Sequence, residues 1–167
     1  PNSEHVKALY ANTLQLIATE RADKVRRIIE ENAENSPDIL LPDREGREIA
    51  LKSFRGKYVL LHFWSALDPN SRIVNPVLAE VYKKYKNRGF EIYQVSVDED
   101  REKWVEALEE DQMVWTNVGD MKGSVQPVMF YNIKSIPYNY LLDKEGVIVA
   151  KNLIGPAIDK TLSAIFR

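Results

Sequence analysis

Apolar and polar positions interleave along most of this chain, but Tyr58, Val59, Leu60 and Leu61 form an unbroken apolar run that leads into His62, Phe63 and Trp64. A short β-rich run without polar relief predicts a strand buried on both faces, as at the centre of a sheet covered by helices. Residues 90–97 repeat the pattern with Ile92, Val95 and Val97, and residues 113–117 predict a shorter strand. Two hairpins are expected. Residues 39–41 and 47–51 flank the turn Asp43-Arg44-Glu45-Gly46, and residues 138–142 and 147–151 flank Asp143-Lys144-Glu145-Gly146.

Spacings of three and four govern the remaining segments. Residues 71–88 predict a helix that buries Val77, Leu78, Val81, Tyr82 and Tyr85, is kinked at Pro76 and is closed by Gly89. Residues 98–111 predict a helix with Trp104, Val105 and Leu108 inward. Pro156 opens a last helix, running to Arg167, that turns Leu162, Ile165 and Phe166 to the sheet. A helical turn is expected near residues 127–131, inside the least regular stretch. At the other end Val6, Tyr10, Leu14, Ile17, Val25 and Ile28 mark residues 2–35 as one amphipathic helix, or two with a break within 19–23. Ser3 is a candidate cap, His5 is expected exposed, and Ser36-Pro37 ends the helix because a residue before proline leaves helical geometry. The expected organisation is a helical extension over residues 1–36 and an α/β domain over residues 37–167. The extension's apolar stripe either packs on its own domain or serves an upstream domain or partner.

The corner after the central strand carries the candidate chemistry, since open α/β sheets place their sites there. Asp68 is a favourable N-cap, Pro69 falls at the first helical position and Ser71 at the third. No group in the corner has metal-ligand spacing. The sequence holds no cysteine, which removes disulfides, thiolate catalysis and cysteine–zinc sites from this chain. A net charge of −2 gives no reason to expect nucleic acid as partner, and no stretch is apolar enough to span a bilayer. The chain opens on Pro1 rather than methionine, which reads as a processed or truncated product.

The segment Phe63-Trp64-Ser65-Ala66-Leu67-Asp68-Pro69-Asn70-Ser71-Arg72 resembles the Phe-Trp-Ala-x-Trp-Cys-x-x-Cys-Arg segment of thioredoxin-like proteins, and the chain is similar to the envelope thiol–disulfide oxidoreductases of the TlpA/ResA and AhpC/TSA type. Further matches are Pro76, residues 85–98, Trp104, residues 115–123, and Ile136-Pro137 with Leu142-Asp143-Lys144-Glu145-Gly146. The resemblance implies a thioredoxin-like fold: a central mixed sheet flanked by helices, preceded by a β-hairpin and the helical extension. It places Asp68 and Ser71 at the two redox-cysteine positions, so no catalytic residue is assigned there, and it implies no cofactor and no metal. It also implies a cis bond at Ile136-Pro137 facing the corner, and a periplasmic or cell-envelope location.

Three functions follow for testing. A redox-inactive domain would bind a protein or peptide partner at the Asp68/Pro137 face, through Trp64, Leu67, Asp68, Pro69, Asn70, Ser71, Ile136 and Pro137, or would serve as a scaffold in which Pro137 only shapes a turn. An oxidoreductase would need a thiol from elsewhere. A hydrolase or transferase would use Ser71 or Asp68 with His62, the nearest imidazole, whose alternative role is that of a satisfied buried polar residue.

Overall fold

The computed structural model describes residues 36–167, so the helical extension expected over residues 2–35, with Ser3, His5 and any partner for its stripe, lies outside the described residues. The sheet is built around β3 (Tyr58–Trp64), with β4 (Phe90–Ser96) and β5 (Thr116–Val118) on one side and β6 (Tyr138–Leu142) and β7 (Ile148–Lys151) on the other, in the order β5-β4-β3-β6-β7. The β3–β4 and β4–β5 pairs are parallel, and β3–β6 and β6–β7 are antiparallel. A separate antiparallel hairpin, β1 (Leu40–Pro42) and β2 (Glu48–Ala50), precedes it. The helices are α1 (Pro69–Tyr85), α2 (Arg101–Glu110), α3 (Val125–Phe130) and α4 (Pro156–Ile165).

The unbroken apolar run has a direct structural reason. Successive side chains of a strand point to opposite faces, and both faces of β3 are covered. Leu60 and Trp64 join Leu78, Val81, Trp104, Ile158 and Leu162 in the core on the helix side. Val59, Leu61 and Phe63 join Ile39, Leu51, Tyr93 and Tyr131 in a second core on the other face. His62 lies between Leu61 and Phe63 on the strand, so the alternation puts it on the α1 face with Leu60 and Trp64.

Several boundaries differ from expectation. Helix α2 starts at Arg101 with Asp100 as its cap, because the Asp98 carboxylate is bound elsewhere. Strand β5 is displaced to Thr116–Val118, while Met113 and Trp115 pack into the helix-side core. In α1 the buried positions are Ser71, Asn75, Leu78, Val81 and Tyr85, and Val77 and Tyr82 are only half-buried. Helix α4 ends at Ile165, and its best-buried residues are Ile158 and Leu162.

Candidate functional site

The corner between β3 and α1 is closed by its own polar groups. Asp68 has extended backbone angles and caps α1, accepting from Ser71 N at 2.9 Å and from Ser71 Oγ at 2.8 Å. Ser71 Oγ in turn accepts from Ser65 N at 3.2 Å. A carboxylate here also sits in the favourable field of the helix N-terminus. Asp68 and Ser71 therefore hold each other, and the Ser71 proton points at Asp68.

A second carboxylate, missed from the sequence, supports this corner from below. Asp98 is 4% exposed and accepts from Ser65 Oγ at 2.7 Å, from Ala66 N at 3.0 Å and from Ser96 Oγ, while its own N–H donates to Ser96 Oγ at 3.0 Å. The cause is topological. Because β3 and β4 run parallel with Trp64 opposite Ser96, the residues just beyond β4 lie beside the turn that follows β3. Adjacent strand ends were the available signal.

Arg72 anchors the outer side. Its guanidinium grips Asp111 in two places, Nε to Oδ2 at 2.7 Å and Nη2 to Oδ1 at 3.1 Å, and Nη1 donates to Ala66 O at 3.1 Å. Such a fork-to-fork pair fixes geometry as well as charge. The hydrogen bond to Asp111 holds the Arg72 pKa above its ordinary value. Burial pushes the Asp111 carboxyl up, but its bonds from Arg72 and Asn75 outweigh that and leave it lowered. The chain continues inward, Asn75 Nδ2 to Asp111 Oδ2 at 2.7 Å, Gln94 Nε2 to Asn75 Oδ1 at 3.2 Å, and Trp115 Nε1 to Gln94 Oε1.

On the opposite flank, a cleft of about 340 Å³ brings Asn70 of α1 together with Pro137 and has His62 among its lining residues. The Ile136–Pro137 peptide bond is cis. His62 is 1% exposed, and desolvation lowers its pKa to about 3, so the ring is neutral near pH 7. Its Nδ1 lies 3.4 Å from Asn139 Nδ2. The larger cleft, about 780 Å³ between α1 and α4, is spanned by the Lys84–Asp159 ion pair and is lined by none of these residues.

The expected groove is therefore narrower than the sequence indicated. Trp64 and Ser71 are 0% exposed and line no surface, since Trp64 fills the helix-side core and Ser71 lies under the cap. Leu67, Pro69 and Asn70 are exposed, and Asp68, Ile136 and Pro137 are half-buried. The hydrolase arrangement is absent from the described residues: the base that receives the Ser71 proton is Asp68, and the hydrogen-bond neighbour of His62 is Asn139.

Comparison with known proteins agrees with this fold. The chain is 31% identical over 146 residues to a thiol-disulfide oxidoreductase ResA of Bacillus cereus, covering 87% of this chain and 81% of that protein. It is similar to the crystal structure of the thioredoxin domain of a thiol-disulfide oxidoreductase from Bacteroides vulgatus, with a TM-score of 0.77, 37% identity, and coverage of 81% of this chain and 97% of that one. The solution structure of a thiol:disulfide interchange protein from a Bacteroides species matches at a TM-score of 0.75 and 37% identity, covering 80% of this chain and 88% of the other. The fold is thioredoxin-like. Residues 33–151 match the model of the AhpC/TSA family, and the chain belongs to that family.

Proposed function

We propose that this domain is a redox-inactive member of its family that works by binding, or by holding other parts in place, in the bacterial cell envelope. The observation that carries the reading is the Asp68–Ser71 pair. Thiol–disulfide exchange needs a thiolate to attack a disulfide sulfur, and the two residues that the resemblance sets at the redox positions carry no sulfur: Asp68 caps α1 with its carboxylate, and the Ser71 hydroxyl donates to that carboxylate. The partner is a protein or peptide that lies against Leu67, Asp68, Pro69, Asn70, Ile136 and Pro137. Leu67, 67% exposed at the tip of the corner, is the apolar anchor of that face. An exposed backbone edge can capture an extended segment without a catalytic residue. The envelope location rests on the resemblance to envelope oxidoreductases, and among the described residues no helix is long and apolar enough to cross a membrane.

Two measurements test this. Insulin-disulfide reduction by the purified chain is expected at the background rate, and turnover that persists after contaminating thiols are removed would overturn the redox-inactive reading. Partner capture with Leu67→Asp and Ile136→Asp as controls tests the face. Capture by the unaltered chain that these changes abolish supports docking there, whereas equal capture by all three moves the interface elsewhere.

A further inference from the structure

The net charge of −2 hides an uneven distribution along the sheet. Because β3 and β4 are parallel and β6 runs against β3, one end of the sheet collects residues 52–57, 86–89 and 143–147. The other end, at the corner, collects residues 65–68, 97–100 and 119–124. The first set carries Lys52, Arg55, Lys57, Lys86, Arg88 and Lys144 against Asp143 and Glu145, whereas the corner set carries Asp68, Asp98, Glu99, Asp100 and Asp120 against Lys122 alone. The domain is therefore an electric dipole, positive at the end remote from the corner.

Backbone bonds tie the three basic segments at one level. Gly56 N donates to Lys144 O and Tyr58 N to Gly89 O, both at 2.9 Å, and the Arg55 guanidinium lies over Gly146. Little acid offsets them. Asp143 is spent on its own turn, accepting from Glu145 N and Val147 N at 2.9 Å each, and Glu91 of β4 offsets part of the Lys57 charge but is half-buried. Lys52 reaches Asp38 at 3.9 Å. Arg55, Lys57, Lys86, Arg88 and Lys144 are all exposed, and among the described residues none of them forms an ion pair. These cations line neither of the clefts described above, so they do not enclose a single anion. The rings at this end, Phe54, Tyr58 and Phe166, are half-buried and packed on other rings, which leaves no free aromatic platform for nucleobases. Unpaired cations spread over neighbouring loops suit a plane of negative charge.

We infer that this end rests on the surface of an anionic bilayer, with Arg55, Lys57, Lys86, Arg88 and Lys144 against the lipid phosphates and the corner turned away. Each Lys or Arg near such a surface strengthens binding about fivefold. The acids around the corner are repelled by the same lipid charge, so one orientation is favoured over its reverse. The inference takes from the proposed function only that a bilayer is at hand, and it needs no partner at the corner.

The test is sedimentation of the full chain with vesicles of phosphatidylglycerol and phosphatidylcholine in equal parts, in about 0.1 M salt. Binding is expected there, absent from pure phosphatidylcholine, and lost in about 1 M salt, where charges are screened beyond about 3 Å. Lys57→Gln, Lys86→Gln and Lys144→Gln together should weaken it about a hundredfold in a protein with an unchanged circular dichroism spectrum. Lys103→Gln, Lys122→Gln and Lys134→Gln together remove the same charge from the corner end and should leave binding unchanged. Since the chain has no cysteine, Glu145→Cys or Leu67→Cys takes a single fluorescent label. A quencher carried on the lipid headgroups should quench the label of Glu145→Cys and spare that of Leu67→Cys. No binding to the mixed vesicles, equal binding by the two triple variants, or stronger quenching in Leu67→Cys would each refute the inference. Tighter binding of a duplex oligonucleotide than of the vesicles at equal phosphate would do so by making this end a nucleic-acid surface. Displacement of the vesicles by free glycerol 1-phosphate at equal phosphate would do so by making it a site for one headgroup. Each of these failures leaves the corner reading untouched, because that reading is tested by Leu67→Asp and Ile136→Asp.

Discussion

The two flanks of the α1 N-terminus differ in how their polar groups are settled. On the corner side the carboxylates and hydroxyls are matched inside the fold: Asp68 caps, Ser71 bridges Asp68 and Ser65, and Asp98 gathers Ser65, Ala66 and Ser96. On the cleft side a buried imidazole keeps one nitrogen unmatched. The corner is held as a cap on α1. A matched polar cluster favours stability, whereas an unmatched buried nitrogen costs it. Substitutions on each side should therefore report different things.

The largest expected effect comes from the corner's support. Asp98→Ala removes the acceptor for the Ala66 amide and two serine hydroxyls in a site that water does not reach, which should cost about 3 kcal/mol or more of stability. Urea unfolding of the variant against the unaltered chain reads this directly. A loss below about 1 kcal/mol would show that water replaces the carboxylate and that the corner is wetter than its burial indicates.

Asp98 also shows where sequence reading stops. The strand and cap around it were legible because each leaves a local signature: the apolar run of residues 58–61 marks β3, and Asp68-Pro69 marks the start of α1. The partners of buried polar residues leave none. Asn75 lies three residues before Leu78 and Gln94 two after Ile92, so periodicity puts both on buried faces, but it does not reveal that they join Asp111 to Trp115 through a chain of side-chain bonds. Asp98 reads as the first residue of a helix until the parallel pairing of β3 and β4 brings it under Ala66. The motif alone points Trp64 to a groove, but the alternation of β3 sends it into the helix-side core. Local signals carry elements and caps, whereas partners distant in the chain come only with the topology.

The cleft side should be exposed by acid. The folded pKa of His62 is lowered to about 3, below the ordinary 6.5 that it regains on unfolding. Above pH 6.5 the ring is neutral in both states and stability is unaffected by it. As the pH falls below 6.5 the unfolded chain takes up a proton that the folded one refuses, so stability drops by about 1.4 kcal/mol per pH unit, until the folded ring also protonates near pH 3. At pH 5 the accumulated loss is about 2 kcal/mol. The lowered Asp111 acts in the same direction, but only below the ordinary carboxylate range near 3.8. Stability measured from pH 7 to 5 should therefore slope in the unaltered chain and flatten by one proton in His62→Met. An unchanged slope in that variant would assign the acid sensitivity to another group.

Capping lies between the two flanks and should matter less. Asp68→Ala leaves Ser71 N and Oγ without their acceptor at the first turn of α1, with an expected cost of about 1 kcal/mol. Asp68→Asn retains an oxygen for the same amide and should recover most of it. If Asp68→Ala instead proved neutral, the corner would not owe its shape to the cap.

The smallest stability effect should come from the residue with the largest proposed part in binding. Leu67 is 67% exposed, and its backbone N–H remains bonded to Ser65 Oγ whatever the side chain is. Leu67→Ala should therefore leave unfolding within about 0.5 kcal/mol of the unaltered chain, as exposed substitutions away from caps and cores usually do. A truncated apolar anchor at an interface, by contrast, costs roughly 1–2 kcal/mol of association, or a five- to thirtyfold rise in Kd. Partner affinity measured beside urea unfolding separates the two quantities in one variant. Weakened capture at constant stability places the partner on the corner tip. Unaltered capture would leave the corner with its cap and its carboxylates alone, a rigid end of a sheet on which nothing docks.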